Sequence, residues 1–115
     1  MAIDFEQIEN FTEKVYEKVK SYREHLHSYP ELSYKEYNSS KFVSDTLSKI
    51  GIDNALISET GVIAVIFANH HKGNEACIAL RADLDALPIQ EENDVPYKSK
   101  NNGVMHACGH DVHTS

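Results

Sequence analysis

Apolar residues recur at Ile8, Phe11, Val15, Val19, Tyr22 and Leu26, in steps of three and four that draw one stripe along a long amphipathic helix. Asp4 stands where an N-cap belongs. The helix must end near Ser28, because Pro30 lacks an N–H and pushes Tyr29 out of helical angles. A second helix is predicted to start at Ser33-Tyr34-Lys35-Glu36, which reads as a capping box: the Ser33 hydroxyl serves the third helical N–H and Glu36 reaches back. Tyr37, Val43, Leu47 and Ile50 form its buried side, and Gly51 supplies a left-handed C-terminal cap.

After Gly51 the period changes. Ile52 to Ile57 predicts a short edge strand, the β-branched run Gly61 to Phe67 a strand buried on both faces, and Ala76 to Arg81 a further strand. The polar, glycine-containing segment Asn69 to Glu75 predicts a hairpin between the last two, with His70 and His71 exposed in its loop. From Asp83 through Pro88 and Pro96 to Gly103 the chain reads as an irregular surface loop. Two helices followed by strands, with reactive residues at strand ends and in the loops beyond them, predict an α/β layered domain.

The chain has 115 residues, one domain's worth, and a net charge of -7 from 11 Lys+Arg against 18 Asp+Glu. Negative charge spread along the sequence, with no basic run, argues against nucleic-acid or anionic-membrane partners. The longest apolar stretch, Val62 to Ala68, falls far short of the ~20 residues a spanning helix requires. The N-terminus has neither the basic start nor the apolar run of a secretory signal, so a cytoplasmic address is expected. Cys77 opens an apolar run and Cys108 sits among histidines, so both are expected to be reduced.

Of seven histidines, His106, His110 and His113 fall in the last ten residues, beside Cys108 and Asp111. Thiol and imidazole are the donors that borderline-soft divalent metals take. Gly109 lets the backbone bend enough for Cys108 and His110 to reach one ion, but a complete site needs further ligands. The other reading of the cluster is a polar loop with solvated or capping histidines. Leu80 to Pro88 carries Asp83 and Asp85, one residue apart and so on the same face of a strand end. They could bind a metal, orient a histidine ligand or terminate the strand. His25 and His27, in the last turn of the first helix, are read as favoured there by the helix dipole, with no catalytic role. A phosphate-binding glycine loop, a Cys-x-x-Cys pair and a Gly-x-Ser-x-Gly elbow are all missing from the sequence.

Three stretches occur in one order: Arg23 to Ser33 with Glu36, Arg81 to Gln90-Glu91, and Met105 to Ser115. Together they resemble the start of the amidohydrolase branch of the dinuclear metallopeptidases, which contains aminoacylase-like enzymes, hippurate hydrolase, auxin-conjugate hydrolases and N-acetyldiaminopimelate deacetylase. The resemblance implies that Cys108 and His110 are ligands of a two-metal site holding manganese or zinc. Asp85 would be the aspartate that orients that site, while Asp83, His106, Asp111 and His113 receive no role. It further implies amide hydrolysis of N-acyl amino acids or similar small conjugates, by a water that two divalent ions activate. A family glutamate would serve as general base.

Members of that branch are several times longer, with a satellite domain that often dimerises and with the catalytic glutamate and remaining ligands beyond the position of Ser115. The chain is therefore expected to be the N-terminal portion of a layered catalytic domain over residues 1–115, inactive and marginally folded alone. Two readings of other classes stand beside this one. A non-enzymatic metal-binding or interaction module would close a site with Cys108, His110 and His106 or His113. A redox sensor would pair Cys108 with a resolving thiol, a part for which a strand-buried Cys77 is ill suited.

Overall fold

The computed structural model describes residues 4–68, 72–73 and 76–115. Helix α1 spans Phe5–Ser28, and Asp4 caps it through Oδ1, which accepts from the Gln7 N–H at 3.1 Å. Both ends fall where the pattern puts them. The stripe is only partly used, however: Ile8, Phe11 and Val19 are exposed, and burial is confined to Leu26, His27 and Ser28 in the last turn.

Helix α2 spans Tyr37–Lys49, and its start corrects the predicted capping box. Tyr34 takes φ 63, which turns the chain before the helix begins, and Glu36 Oε1 accepts from the Tyr34 N–H at 3.0 Å. The free N–H groups of the first turn are served by Glu31 instead. Its Oε1 accepts from Asn38 N at 3.2 Å and its Oε2 from Ser39 N at 2.7 Å. A full carboxylate at a helix N-terminus also gains from the macrodipole. The other end is as expected: Gly51 at φ 82 takes the left-handed position. Its N–H bonds Ser48 O at 3.1 Å and that of Ile52 bonds Leu47 O at 2.9 Å, a complete Schellman motif.

Strands β1 (Asn54–Ile57) and β2 (Gly61–Ala64) pair antiparallel, with Asn54 opposite Ala64 and Ile57 opposite Gly61. Ser58 and Glu59, at φ 49 and 69, close this hairpin, and α2 packs against both strands. Residues 65–67 do not extend β2, and its outer positions face solvent, so the expectation of a strand buried on both faces over Gly61 to Phe67 is not met. Ala76 to Arg81 forms no strand: Ile78 and Leu80 are more than nine-tenths exposed, and Cys77 is exposed as well. Among the described residues nothing covers this run, and a strand apolar on both faces is stable only between two layers. The hairpin expected over Asn69 to Glu75, with His70 and His71, lies largely outside the described residues.

From Asp83 to Gly103 the chain is irregular, as expected, but it is firmly attached. Ala86 N donates to Glu31 O at 2.8 Å, and Leu87 and Met105 exchange two backbone hydrogen bonds of 3.0 Å. Lys100 N donates to Ser28 O at 2.9 Å, and the Ser28 hydroxyl to Tyr97 O at 3.0 Å. A short helix, α3 (His110–Thr114), packs back on α1. The architecture is thus mixed, with helices and a small antiparallel sheet. No helix among the described residues is long and apolar enough to cross a membrane.

Candidate metal centre

The chain reaches His110 through Gly109, whose φ of 88 is the left-handed region glycine occupies without strain. The bridges at Ala86 and Leu87 bring the preceding aspartates to the same place. Nδ1 of His110 lies 2.9 Å from Asp85 Oδ1 and 2.9 Å from the Asp85 carbonyl oxygen. Both are acceptors, so Nδ1 carries the hydrogen and the Nε2 lone pair is left for another partner. Nε2 is 3.9 Å from Asp83 Oδ2, too far for a hydrogen bond. Asp83 is held from its other end, where its carbonyl accepts from the Thr114 hydroxyl at 2.9 Å. The Arg81 guanidinium, 2.8 Å from Oδ1, lowers the Asp83 pKa. Arg81, Asp83, Asp85, His110 and Thr114 line an open cleft of about 870 Å³, to which α2 contributes Val43 and Leu47.

Cys108, two residues before His110, is a free and exposed thiol. The donor set fits a divalent cation: an accessible thiol and an imidazole whose far nitrogen is fixed by a carboxylate, the usual way a ligating histidine is oriented. It is a partial set. Among the described residues no group of three or more His, Cys, Asp or Glu is gathered for a metal. The closed module built from Cys108, His110 and His106 or His113 is therefore not present among them. His113 is exposed, with its ring centroid 6.2 Å from that of His110.

Directly behind this site lies a buried polar cluster. Asp111, 1% exposed, accepts through Oδ2 from Arg23 Nε at 3.0 Å and lies 2.8 Å from His27 Nδ1. The other ring nitrogen of His27 is 3.0 Å from Glu91 Oε1, and Glu91 Oε2 accepts from Ser99 N at 2.6 Å. Facing a carboxylate oxygen on each side, the His27 ring can donate to both only as imidazolium. Burial works to raise the Glu91 pKa, but the bonds from His27, Ser99 and Asn93 prevail and hold it at about 2. Burial likewise opposes the charge of Arg23, and contacts with Tyr97 and Asp111 overcome it, raising that pKa. The helix-dipole role expected of His27 is thus replaced by a bridge between two carboxylates.

His106 lies beside this cluster, 4% exposed, with neither ring nitrogen hydrogen-bonded. Burial is the main reason its pKa is lowered, and the neighbouring His27 and His110 act in the same sense against Asp111. The sequence gives Asp111 no role and marks Arg23 and Glu91 only as parts of longer stretches. One signal points to the cluster: Arg23 and His27 stand four apart and so share a helix face, with Leu26 beside them on the apolar stripe.

Residues 79–115 match the sequence profile of peptidase family M20/M25/M40. The chain is 50% identical over 99 residues to a Staphylococcus epidermidis protein named an uncharacterized hydrolase, covering 86% of this chain and 25% of that one. It is 42% identical over 112 residues to thermostable carboxypeptidase 1 of Saccharolobus solfataricus, covering 96% of this chain and 28% of that one. A Bacillus subtilis crystal structure, described as a dinuclear metal binding peptidase from M20 family, superposes with a TM-score of 0.77 at 42% identity, over 89% of this chain and 28% of that one. The chain thus spans about a quarter of the length of the curated relatives it matches.

Proposed function

We infer that this chain, which is similar in sequence and fold to part of the M20 peptidases, contributes part of the catalytic domain of a metal-dependent hydrolase that cleaves the amide bond of N-acyl amino acids or related small conjugates. The observation that carries the reading is the His110 ring, held through Nδ1 by Asp85 with Nε2 free, two residues from the exposed thiol of Cys108. In this reading Cys108 and His110 hold divalent cations, manganese or zinc, and Asp85 orients the His110 ring. When bound, two such ions supply Lewis acidity that makes water a nucleophile near neutral pH and offsets charge developing on the acyl oxygen. Asp85 keeps the proton on Nδ1, so that Nε2 is the nitrogen available for coordination. Cys108 acts as thiolate donor and not as nucleophile.

The general base and the remaining ligands belong to parts of the protein outside these 115 residues. The short match relative to the relatives and the uncovered apolar run Ala76 to Leu80 support that assignment. We place the whole protein in the cytoplasm, as a homodimer formed through a satellite domain.

The carboxypeptidase relative favours a second reading, removal of a C-terminal residue from a peptide. An assay of amino-acid release by the full-length protein separates the two, using N-acetyl and N-benzoyl amino acids beside unblocked dipeptides. The amidohydrolase reading expects turnover of the blocked substrates, loss with a chelator and restoration by manganese or zinc. Turnover confined to unblocked peptides transfers the protein to the second reading, and chelator-resistant turnover removes the metal from both.

A further inference from the structure

We propose that His27 is a positioning residue for His110: by bridging Glu91 and Asp111 it fixes the first turn of α3, and with it the imidazole assigned to a divalent cation. The proposal rests on the reading of Cys108 and His110 as metal ligands. Helix α3 has five residues and no side-chain cap at Gly109. A helix that short has no stability of its own, so its place must be imposed from outside. The His110 ring is held by Asp85. The backbone beneath it is held through the next residue, Asp111, whose carboxylate is tied to Arg23 and His27 of α1.

His27 is the central member of this arrangement. It is 4% exposed and sits between two carboxylates that are themselves 1% and 2% exposed. Removing it leaves Glu91 without its imidazole partner and Asp111 with only the part-exposed Arg23. Buried carboxylates so deprived regain solvation by moving. Asp111 follows His110 directly in α3, so a shift of its carboxylate that turns the helix carries His110 away from Asp85. Metal sites tolerate ligand displacements of only about 0.5 Å, so the expected consequence lies in metal affinity.

The test is calorimetric titration of zinc(II) into the metal-free full-length protein, with the cobalt(II)-thiolate absorption band as a second readout and urea unfolding as the control for folding. Cys108→Ser, His110→Ala, His27→Gln and Glu91→Gln are compared with the unaltered protein. His27→Gln is expected to weaken zinc binding by about 10- to 100-fold and to shift the cobalt band, the range seen when a ligand's supporting contact is lost. Glu91→Gln, which keeps an acceptor opposite His27 but removes its charge, is expected at about the tenfold end of that range. Folded His27→Gln with zinc affinity and cobalt band unchanged overturns the proposal, even if its urea midpoint falls. Should His27→Gln not fold, Glu91→Gln decides: folded, with unchanged zinc affinity, it overturns the proposal equally. Zinc affinity insensitive to both Cys108→Ser and His110→Ala refutes the ligand reading instead, an outcome distinct from failure of the His27 role.

Discussion

His110 Nδ1 meets Asp85 twice, at 2.9 Å from Oδ1 and at 2.9 Å from its carbonyl oxygen. This redundancy sets the size of the effect to expect from Asp85→Ala. The side-chain acceptor is lost but the backbone acceptor stays, so Nδ1 keeps its hydrogen and the ring is loosened without being released. Zinc affinity of the full-length protein should fall about tenfold, the low end for loss of a contact supporting a histidine ligand. Asp85→Asn, which retains an acceptor oxygen, should stay closer to the unaltered protein. Calorimetry on the two variants checks both the size and the order.

Glu31 takes the part predicted for Ser33. Its two oxygens accept from the N–H groups of Asn38 and Ser39 as well as from their side chains, and these four bonds draw its pKa down against the opposing effect of burial. Loss of a helix cap costs about 1 kcal/mol, up to about 2. Glu31→Ala should lower stability by that amount, whereas Ser33→Ala should leave it within about 0.5 kcal/mol, as for an uninvolved surface position. Urea unfolding followed by circular dichroism measures the difference. A cost at Ser33 equal to that at Glu31 would restore the capping box.

The two helices were legible because their signals are local: Asp4, Pro30 and Gly51 act within a turn of where they stand. The Ser33 to Glu36 capping box misled because Tyr34 adopts φ 63, which no pattern of residue types announces, and because the true cap stands eight residues before Ser39. Ala76 to Arg81 has a strand's composition, but a strand is completed by neighbours, and among the described residues this run has none. At the site, the Met105 to His113 cluster declared its donors through density alone. The pairing of His110 with Asp85 spans 25 positions and that of His27 with Asp111 spans 84. Separations of that kind appear only once the chain is folded.

Glu91 gives the chain a signature in acid. Its carboxyl, ordinarily at 4.5, is held at about 2 in the folded state, despite burial, by His27, Ser99 and Asn93. A depressed folded-state value means that the unfolded chain takes up the proton first as the pH falls. The stabilisation is therefore complete above 4.5 and is lost progressively as the pH drops toward about 2. Glu91→Gln has no proton to take up in that window. Placed in the full-length protein, it should give a lower stability than the unaltered protein at pH 7 and a less steep fall between 4.5 and 2. Urea midpoints collected across that range make the comparison, and equal slopes would show that Glu91 is not the titrating group.

Cys108 is exposed beside the His110 ring's helix, whereas Cys77 lies in the separate run Ala76 to Leu80. An alkylating reagent should modify Cys108 in the metal-free protein, because the accessibility of a thiol governs its reactivity, and the rate at Cys77 serves as the internal reference. Zinc should change the ratio of the two rates. Coordination deprotonates a thiol and occupies the lone pair that would attack the reagent, so saturating zinc should slow modification of Cys108 by at least tenfold and leave Cys77 unchanged. Peptide mass mapping after timed alkylation reads the two sites in one sample. Protection of both thiols would mean a general tightening of the chain, and protection of neither would remove Cys108 from the ligand set. His110→Ala adds a control that follows from coordination: with one ligand gone, Cys108 should regain reactivity at the same zinc concentration, although nothing near Cys77 has changed.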